Sequence, residues 1–202
     1  MDIEALTAEA VIDTEDIPDH LDDISEAIMW AKQGIHLAND SNPLLTQWLN
    51  NLGVFLETRY KRTGEMRDLE EAIHTARQAV ESTPDDHPDV AAMLSNLGTM
   101  LDRRYERMGE MNDLEEASTN LLEAWSCLNA VPFHRIKAAA KCPELLAAQN
   151  RVDQCIDLGR RILDLLPSVH ARALDRNDQQ FVVSTFAGIA SHYALFSYQQ
   201  ID

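Results

Sequence analysis

Three cysteines and seven histidines are the side chains of this sequence best suited to nucleophilic or metal chemistry. A catalytic cysteine needs a base within hydrogen-bond reach, and Cys127 lies seven residues before His134 across a predicted turn. Cys142 and Cys155 fall on helical faces rich in alanine and leucine, where free cysteine commonly serves as a small buried apolar residue. We therefore predict no catalytic residue and no enzymatic activity.

Metal and cofactor chemistry finds no support in the residue spacing. No two histidines are four residues apart, the spacing that places two imidazoles on one helix face around a metal. The glycines are isolated, so no phosphate-binding loop is present. The carboxylate pairs 70–71 and 115–116 recur at a fixed period, which favours helix capping and solvation over acid–base catalysis. The sequence predicts no metal site and no cofactor.

The charge of the chain restricts its partners. A net charge of -17 should repel nucleic acid and anionic membrane surfaces. Residues 1–31 hold ten acidic residues and no basic one, and this acidic leader either meets a basic partner or keeps the end of the chain solvated.

The N-terminus lacks a basic start followed by an apolar run, and three cysteines are too few and too scattered for a disulfide framework. Both features predict a cytoplasmic protein.

An internal repeat of 45 residues organises the chain. Residues 51–72 and 96–117 are identical at fifteen of 22 positions, against about one or two expected by chance at ordinary composition. The same offset aligns 23–28 with 68–73, so the array begins with a second helix whose first helix is missing or degenerate. After Asn129 the period weakens. The predicted divisions are an acidic leader over 1–20, repeats over 21–129, and a degenerate repeat with C-terminal closing helices over 130–202.

Each repeat is predicted to form two helices, because its apolar residues recur at steps of three and four. The predicted first helices lie near 43–62, 88–107 and 135–149, and the second helices near 23–38, 68–82 and 113–128. Pro43 and Pro88 are expected at helix starts, and Gly64 and Gly109 at the turns within the repeats. The uncharged segment 181–198 is at the short limit for a membrane span and is predicted to be a buried closing helix.

Aspartate followed by glutamate three residues later begins each second helix and resembles a capping box. The pairs are Asp23 with Glu26, Asp68 with Glu71, and Asp113 with Glu116. Small residues such as Ala72, Ala76 and Ala79 leave room for the paired helix to approach closely. A single pair of this kind cannot bury both faces, so we expect the pairs to stack with a continuous core.

The residues Leu52-Gly53, Ala72, Ala79 and Pro84 resemble the signature positions of the tetratricopeptide repeat, in a form longer than the standard repeat of about 34 residues. Residues 86–97 look like the long repeats of kinesin light chains, and the segment 59–73 is more similar to long-period repeats of fungal proteins. In many such proteins a linker resembling 165–167 and 178–180 leads into a CHAT peptidase domain. The resemblance implies an all-α fold of antiparallel helix pairs stacked as a right-handed superhelix.

The resemblance also implies a partner-binding surface, because the concave groove of tetratricopeptide repeats is lined by positions around the Leu-Gly pair. Carried over to this sequence, the first copy contributes Asn50, Asn51, Val54, Glu57 and Thr58, and the second contributes Ser95, Asn96, Thr99, Asp102 and Arg103. Asparagine can donate to and accept from a peptide backbone, although Asn51 and Asn96 could instead bond between helices. Glu57 and Asp102 favour a partner with basic or amide groups, and no basic clamp for a terminal carboxylate is evident.

The function predicted from these patterns is a protein–protein interaction scaffold that holds a partner peptide or helix in its groove. One alternative is a non-catalytic docking arm of a larger CHAT-type peptidase, which a downstream domain in the full-length gene would support. Another is a self-assembly module, a homo-oligomer formed through exposed repeat ends.

Overall fold

The computed structural model describes residues 20–38, 42 and 44–169. Over these residues the chain forms seven α-helices and no strand. The helices are α1 (Leu21–Leu37), α2 (Leu45–Thr63), α3 (Met66–Glu81), α4 (Val90–Met108), α5 (Met111–Ser126), α6 (Pro132–Ala148) and α7 (Val152–Val169). The predicted all-α fold of antiparallel helix pairs is confirmed. The acidic leader, the helix start at Pro43 and the closing helix at 181–198 lie outside the described residues.

Glycine ends the first helix of two repeats. Gly64 and Gly109 follow α2 and α4 with φ of 74°, a left-handed conformation that costs glycine no steric strain. Their amides donate to the carbonyls of Tyr60 and Tyr105 at 2.8 and 2.7 Å, which satisfies a carbonyl at each helix end. The predicted turns are therefore confirmed, and both hairpins turn within two residues.

The helix starts deviate from the prediction by a few residues. Pro88 lies in the turn that precedes α4, two residues before Val90. Helix α6 begins at Pro132 rather than near Arg135. Proline is well tolerated in the first turn of a helix, because the backbone amides there have no hydrogen-bond partner within the helix. Within the described residues, no helix combines the length and the apolar character needed to cross a bilayer.

The predicted capping boxes are wrong. The residues that precede α3 and α5 are glutamates that make no side-chain cap, while Asp68 and Asp113 lie inside the first helical turn. Each aspartate instead accepts two hydrogen bonds from an arginine of the preceding helix, Arg59 or Arg104, at 2.6 to 2.7 Å. These bonds raise the pKa of both guanidinium groups. The aspartates thus join the two helices of a hairpin. Asp23, the equivalent residue of α1, is exposed and also makes no cap.

The core follows the predicted apolar stripes. Leu56, Leu69, Leu101 and Leu114 are fully buried, and the small residues of α3 and α5 allow close approach of the paired helices. The closest approach is at Gly98, where an added Cβ would lie 2.7 Å from the Leu121 side chain. Side chains from all seven helices contribute to one continuous apolar cluster, as expected for stacked pairs.

The first helices form one layer of the stack and the second helices another. Helix α2 contacts α4, and α4 contacts α6, whereas α3 and α5 approach each other less closely. Ion pairs between long side chains join the second helices, from Lys32 of α1 to Glu71 of α3 and from Arg77 of α3 to Glu116 of α5. Because the first helices are closer together, the stack curves toward them and their outer surface is the concave one.

Candidate protein-binding groove

The concave surface is built from equivalent positions on successive first helices. The 45-residue offset sets Ser95 of α4 at the position of Asn50 in α2, and Ala140 of α6 at the position of Ser95. Since the three helices pack side by side in the same orientation, these positions form rows that cross the helices. A ligand lying across the helices would meet one row from each repeat in turn.

The asparagines of the surface bond to one another across the repeats. Asn96 Nδ2 donates to Asn50 Oδ1 at 3.0 Å, and Asn50 Nδ2 donates to Asn51 Oδ1 at 3.3 Å. Asn50 and Asn51 are only 1% and 4% exposed. The bond from α4 to α2 supports the alternative in which Asn96 links helices. These amides hold the spacing of the first helices, and of the three only Asn96 lines the open cavity described next.

A cavity of about 400 Å³ opens between the first helices. Five of the predicted residues line it: Glu57, Ser95, Asn96, Thr99 and Arg103. The remaining lining residues are Lys61 from α2 and Lys137, Ala140, Lys141 and Glu144 from α6. Most of the lining residues are thus polar or charged by type, and the cavity spans all three first helices, with room for several side chains of a ligand.

Five of the predicted groove residues do not line this cavity. Asn50, Asn51 and Val54 are buried against the core or one another. The Thr58 hydroxyl donates to the Val54 carbonyl of its own helix at 2.9 Å. Asp102 is 8% exposed and lies behind Lys141, whose Nζ is 3.3 Å from Oδ2. The accessible part of the groove is therefore shifted from α2 toward α4 and α6.

Two acidic side chains of the groove, Glu57 and Asp102, are paired with basic side chains. The Glu57 carboxylate is 5% exposed and accepts from Arg103 Nε at 2.5 Å and from Lys61 Nζ at 3.1 Å. Asp102 is paired with Lys141. One carboxylate is thus shared by two cations, which changes the electrostatic character expected from Glu57 and Asp102 alone.

Comparison with known proteins identifies the repeat. The tetratricopeptide repeat family model matches residues 45–89, which span α2, α3 and the turn up to α4. Over these residues the chain matches one tetratricopeptide repeat. Among solved structures, it is similar to a Podosopora anserina protein whose crystal structure is described as kinesin light chain nearly identical TPR-like repeats. The two are 13% identical with a TM-score of 0.54, and the match covers 89% of each chain. No curated protein matches the chain significantly.

The third first helix, α6, supplies groove residues that the sequence reasoning missed. Ala140, Lys141 and Glu144 lie one 45-residue offset after Ser95, Asn96 and Thr99. Their identities differ from those of the second copy, so a search for repeated residues passes over them. Extending the 45-residue offset beyond residue 129, without requiring identical residues, would have located all three positions.

The cysteines of the repeats are placed for packing. Burial raises the pKa of the Cys142 thiol to about 12 and also raises the pKa values of Cys127 and Cys155. Cys127 directly follows α5, and its thiol donates to the Glu123 carbonyl of that helix at 3.3 Å. Because the thiolate is the nucleophilic form, these environments do not activate a cysteine. The described residues contain no cluster of histidine, cysteine, aspartate and glutamate suited to a metal ion.

Proposed function

We propose that this protein is a non-catalytic interaction scaffold that holds a segment of another protein in the groove between α2, α4 and α6. The observation that supports this most is the cavity of about 400 Å³ lined by Thr99, Asn96 and residues of all three first helices. Tetratricopeptide repeats generally mediate protein–protein interactions, and the cavity lies on the layer of first helices.

The rigid groove favours binding through a low ordering cost. The Asn96–Asn50 hydrogen bond and the Arg103–Glu57 ion pair each join α2 to α4, and Lys141–Asp102 joins α4 to α6. These contacts fix the helix spacing before a ligand arrives, so little conformational entropy is lost on association. Adjacent helices pack with axes about 8–10 Å apart, so crossing all three takes about six residues of extended chain.

A matched pair of substitutions tests the groove. Thr99 lines the cavity on α4, whereas Thr119 is exposed on α5 in the other layer. Tryptophan at position 99 should fill the cavity and weaken partner binding at least about tenfold, while Thr119→Trp should leave binding unchanged. A partner captured by the wild-type protein would be purified, and its dissociation constants from both variants measured by calorimetry. Equal affinities for the two variants would exclude the groove as the binding surface.

Substitution of the asparagines is a poorer test. Asn50 and Asn51 are buried and bonded to each other, and Asn96 bonds to Asn50 across the repeats. Removing these amides would leave buried polar groups without partners and loosen the helix spacing. A loss of binding in such variants would report on the scaffold as much as on the ligand contact.

The other predictions about function rest on the sequence. A cytoplasmic location, the exclusion of nucleic acid, and assembly through exposed repeat ends are proposed on charge, cysteine usage and repeat architecture. The docking arm of a CHAT peptidase rests on a resemblance that extends to residues 178–180, outside the described residues. The full-length gene tests that alternative, and light scattering over a dilution series tests self-assembly.

A further inference from the structure

The groove is basic although the chain is strongly acidic. Of the ten residues that line the larger cavity, four are basic (Lys61, Arg103, Lys137 and Lys141) and two are acidic (Glu57 and Glu144). The whole chain has 17 basic and 34 acidic residues, so the ratio is inverted in the cavity. A local excess of positive charge attracts anionic groups even where the net charge is negative.

A second cavity extends the basic surface toward the ends of α2 and α4. Its volume is about 310 Å³, and Tyr60, Lys61, Gly64, Arg103 and Arg107 line it. Three of these residues are basic and none is acidic. Basic residues near helix C-termini also complement the helix dipole, but that effect alone does not bring side chains of two helices around one cavity. Lys61 and Arg103 belong to both cavities and connect them.

Arg103 lines both cavities and is held by a buried carboxylate. Glu57 accepts from its Nε, and among the described residues the structure shows no hydrogen bond from either terminal nitrogen of Arg103. The side chain is 29% exposed and lines both cavities. An arginine held through Nε by a buried carboxylate loses little entropy when its terminal nitrogens bind a carboxylate.

On the basis of the proposed function, we propose that the groove selects a partner segment that carries acidic side chains, with Arg103 as the main contact. A basic partner would have to displace Arg103 and Lys61 from Glu57, or Lys141 from Asp102. The cations stand on three successive helices about 8–10 Å apart. Side chains on the same face of an extended peptide recur about every 6.7 Å, so aspartate or glutamate at alternate positions fits this spacing better than a single phosphate.

Defined peptides test the proposal without knowledge of the natural partner. The probe is a fluorescein-labelled, C-amidated peptide of about ten residues that alternates alanine and glutamate, roughly 33 Å when extended. The same peptides with glutamine or lysine in place of glutamate serve as controls. Fluorescence anisotropy at about 0.15 M salt, where screening acts beyond about 8 Å, should show the glutamate peptide binding at least about tenfold more tightly than either control.

Substitutions locate the interaction. Arg103→Gln should weaken binding of the glutamate peptide about tenfold, since it removes charge-assisted hydrogen bonds. Arg67→Gln is the matched control, because Arg67 is exposed on α3 and its loss changes the net charge equally. If Arg103→Gln lowers the helix content, Arg107→Gln takes its place, since Arg107 is exposed, lines the second cavity and carries a single charge like Arg67.

The outcomes separate this proposal from the proposed function. Preference for the glutamate peptide, lost in Arg103→Gln and kept in Arg67→Gln, supports acidic recognition. Equal affinity for the glutamate and glutamine peptides, or equal losses in the two variants, overturns it. If acidic recognition fails while Thr99→Trp still weakens binding of a captured partner, the groove remains the binding surface and only the ligand chemistry is wrong.

Discussion

Replacing Asp113 by asparagine should destabilise the protein, because the carboxylate joins two helices. Asp113 accepts from Arg104 Nε and Nη2 at 2.7 and 2.6 Å, and its side chain is 5% exposed against 23% for that of Arg104. The amide of asparagine cannot accept both hydrogen bonds. Breaking a buried ion pair costs about 3–5 kcal/mol, and the partial exposure of Arg104 reduces the expected loss to about 2–3 kcal/mol.

Asparagine distinguishes this role from helix capping. Asparagine and aspartate are nearly equal as N-cap residues, so a capping Asp113 would tolerate the substitution with almost no loss. Asp23 is the equivalent residue of α1, but it is exposed and has no ion pair among the described residues. Asp23→Asn should therefore change stability by less than about 0.5 kcal/mol and serves as the matched control.

Urea unfolding followed by circular dichroism gives the measurement. The midpoint should fall in Asp113→Asn with an unchanged slope, which indicates lost stability rather than an altered unfolded state. For a chain of about this size, the expected loss lowers the melting temperature by about 4–12 °C. If Asp113→Asn and Asp23→Asn unfold at the same urea concentration as the wild type, the ion-pair assignment is wrong.

Two further predictions concern packing. Gly98→Ala should lower the free energy of unfolding by about 1–3 kcal/mol, because the added Cβ would lie 2.7 Å from the Leu121 side chain. Gly53→Ala should lower it less, because the nearest atom to its added Cβ is 3.3 Å away. Equal urea midpoints for the two variants would contradict this difference in how closely the helices approach. Iodoacetamide at pH 8 should modify Cys127 in the native protein and leave Cys142 unmodified, because Cys142 is fully buried and burial raises its pKa to about 12. Peptide mass spectrometry gives the order of modification, and finding Cys142 modified first would refute its buried placement.

The helices and turns of this fold could be predicted because their determinants are local and repeated. Gly64 and Gly109 end the first helices at the same position in two copies, and a positive φ is a property of the residue itself. The apolar residues recur with helical spacing, so the buried faces follow from the sequence. The helix starts were less accurate, because proline tolerates both the turn before a helix and its first residues.

The ion pairs within the hairpins could not be predicted by the same reasoning. Asp68 with Glu71 has the spacing of a capping box, and that spacing favoured the wrong assignment. The partner of Asp68 is Arg59, nine residues earlier on the other helix of the hairpin. Their contact depends on the angle at which the two helices pack, which sequence spacing does not report.

The chemistry of the groove depends on packing between repeats. Glu57 alone suggests a site for a basic partner, but Arg103, 46 residues later, pairs with it and itself lines the cavity. Lys141 similarly pairs with Asp102 from the next first helix. The sequence therefore indicated residues of α4 that line the cavity, while the pairing of their charges required the positions of side chains on neighbouring helices.

Site-specific photo-crosslinking tests most directly whether the concave layer holds the partner. The photoreactive residue p-benzoylphenylalanine would replace Thr99 on α4 in one protein and Thr119 on α5 in another, and each would be irradiated with the purified partner. We predict a crosslinked complex from position 99 and none from position 119. Crosslinking from position 119 alone would place the partner on the second helices and contradict the proposed groove.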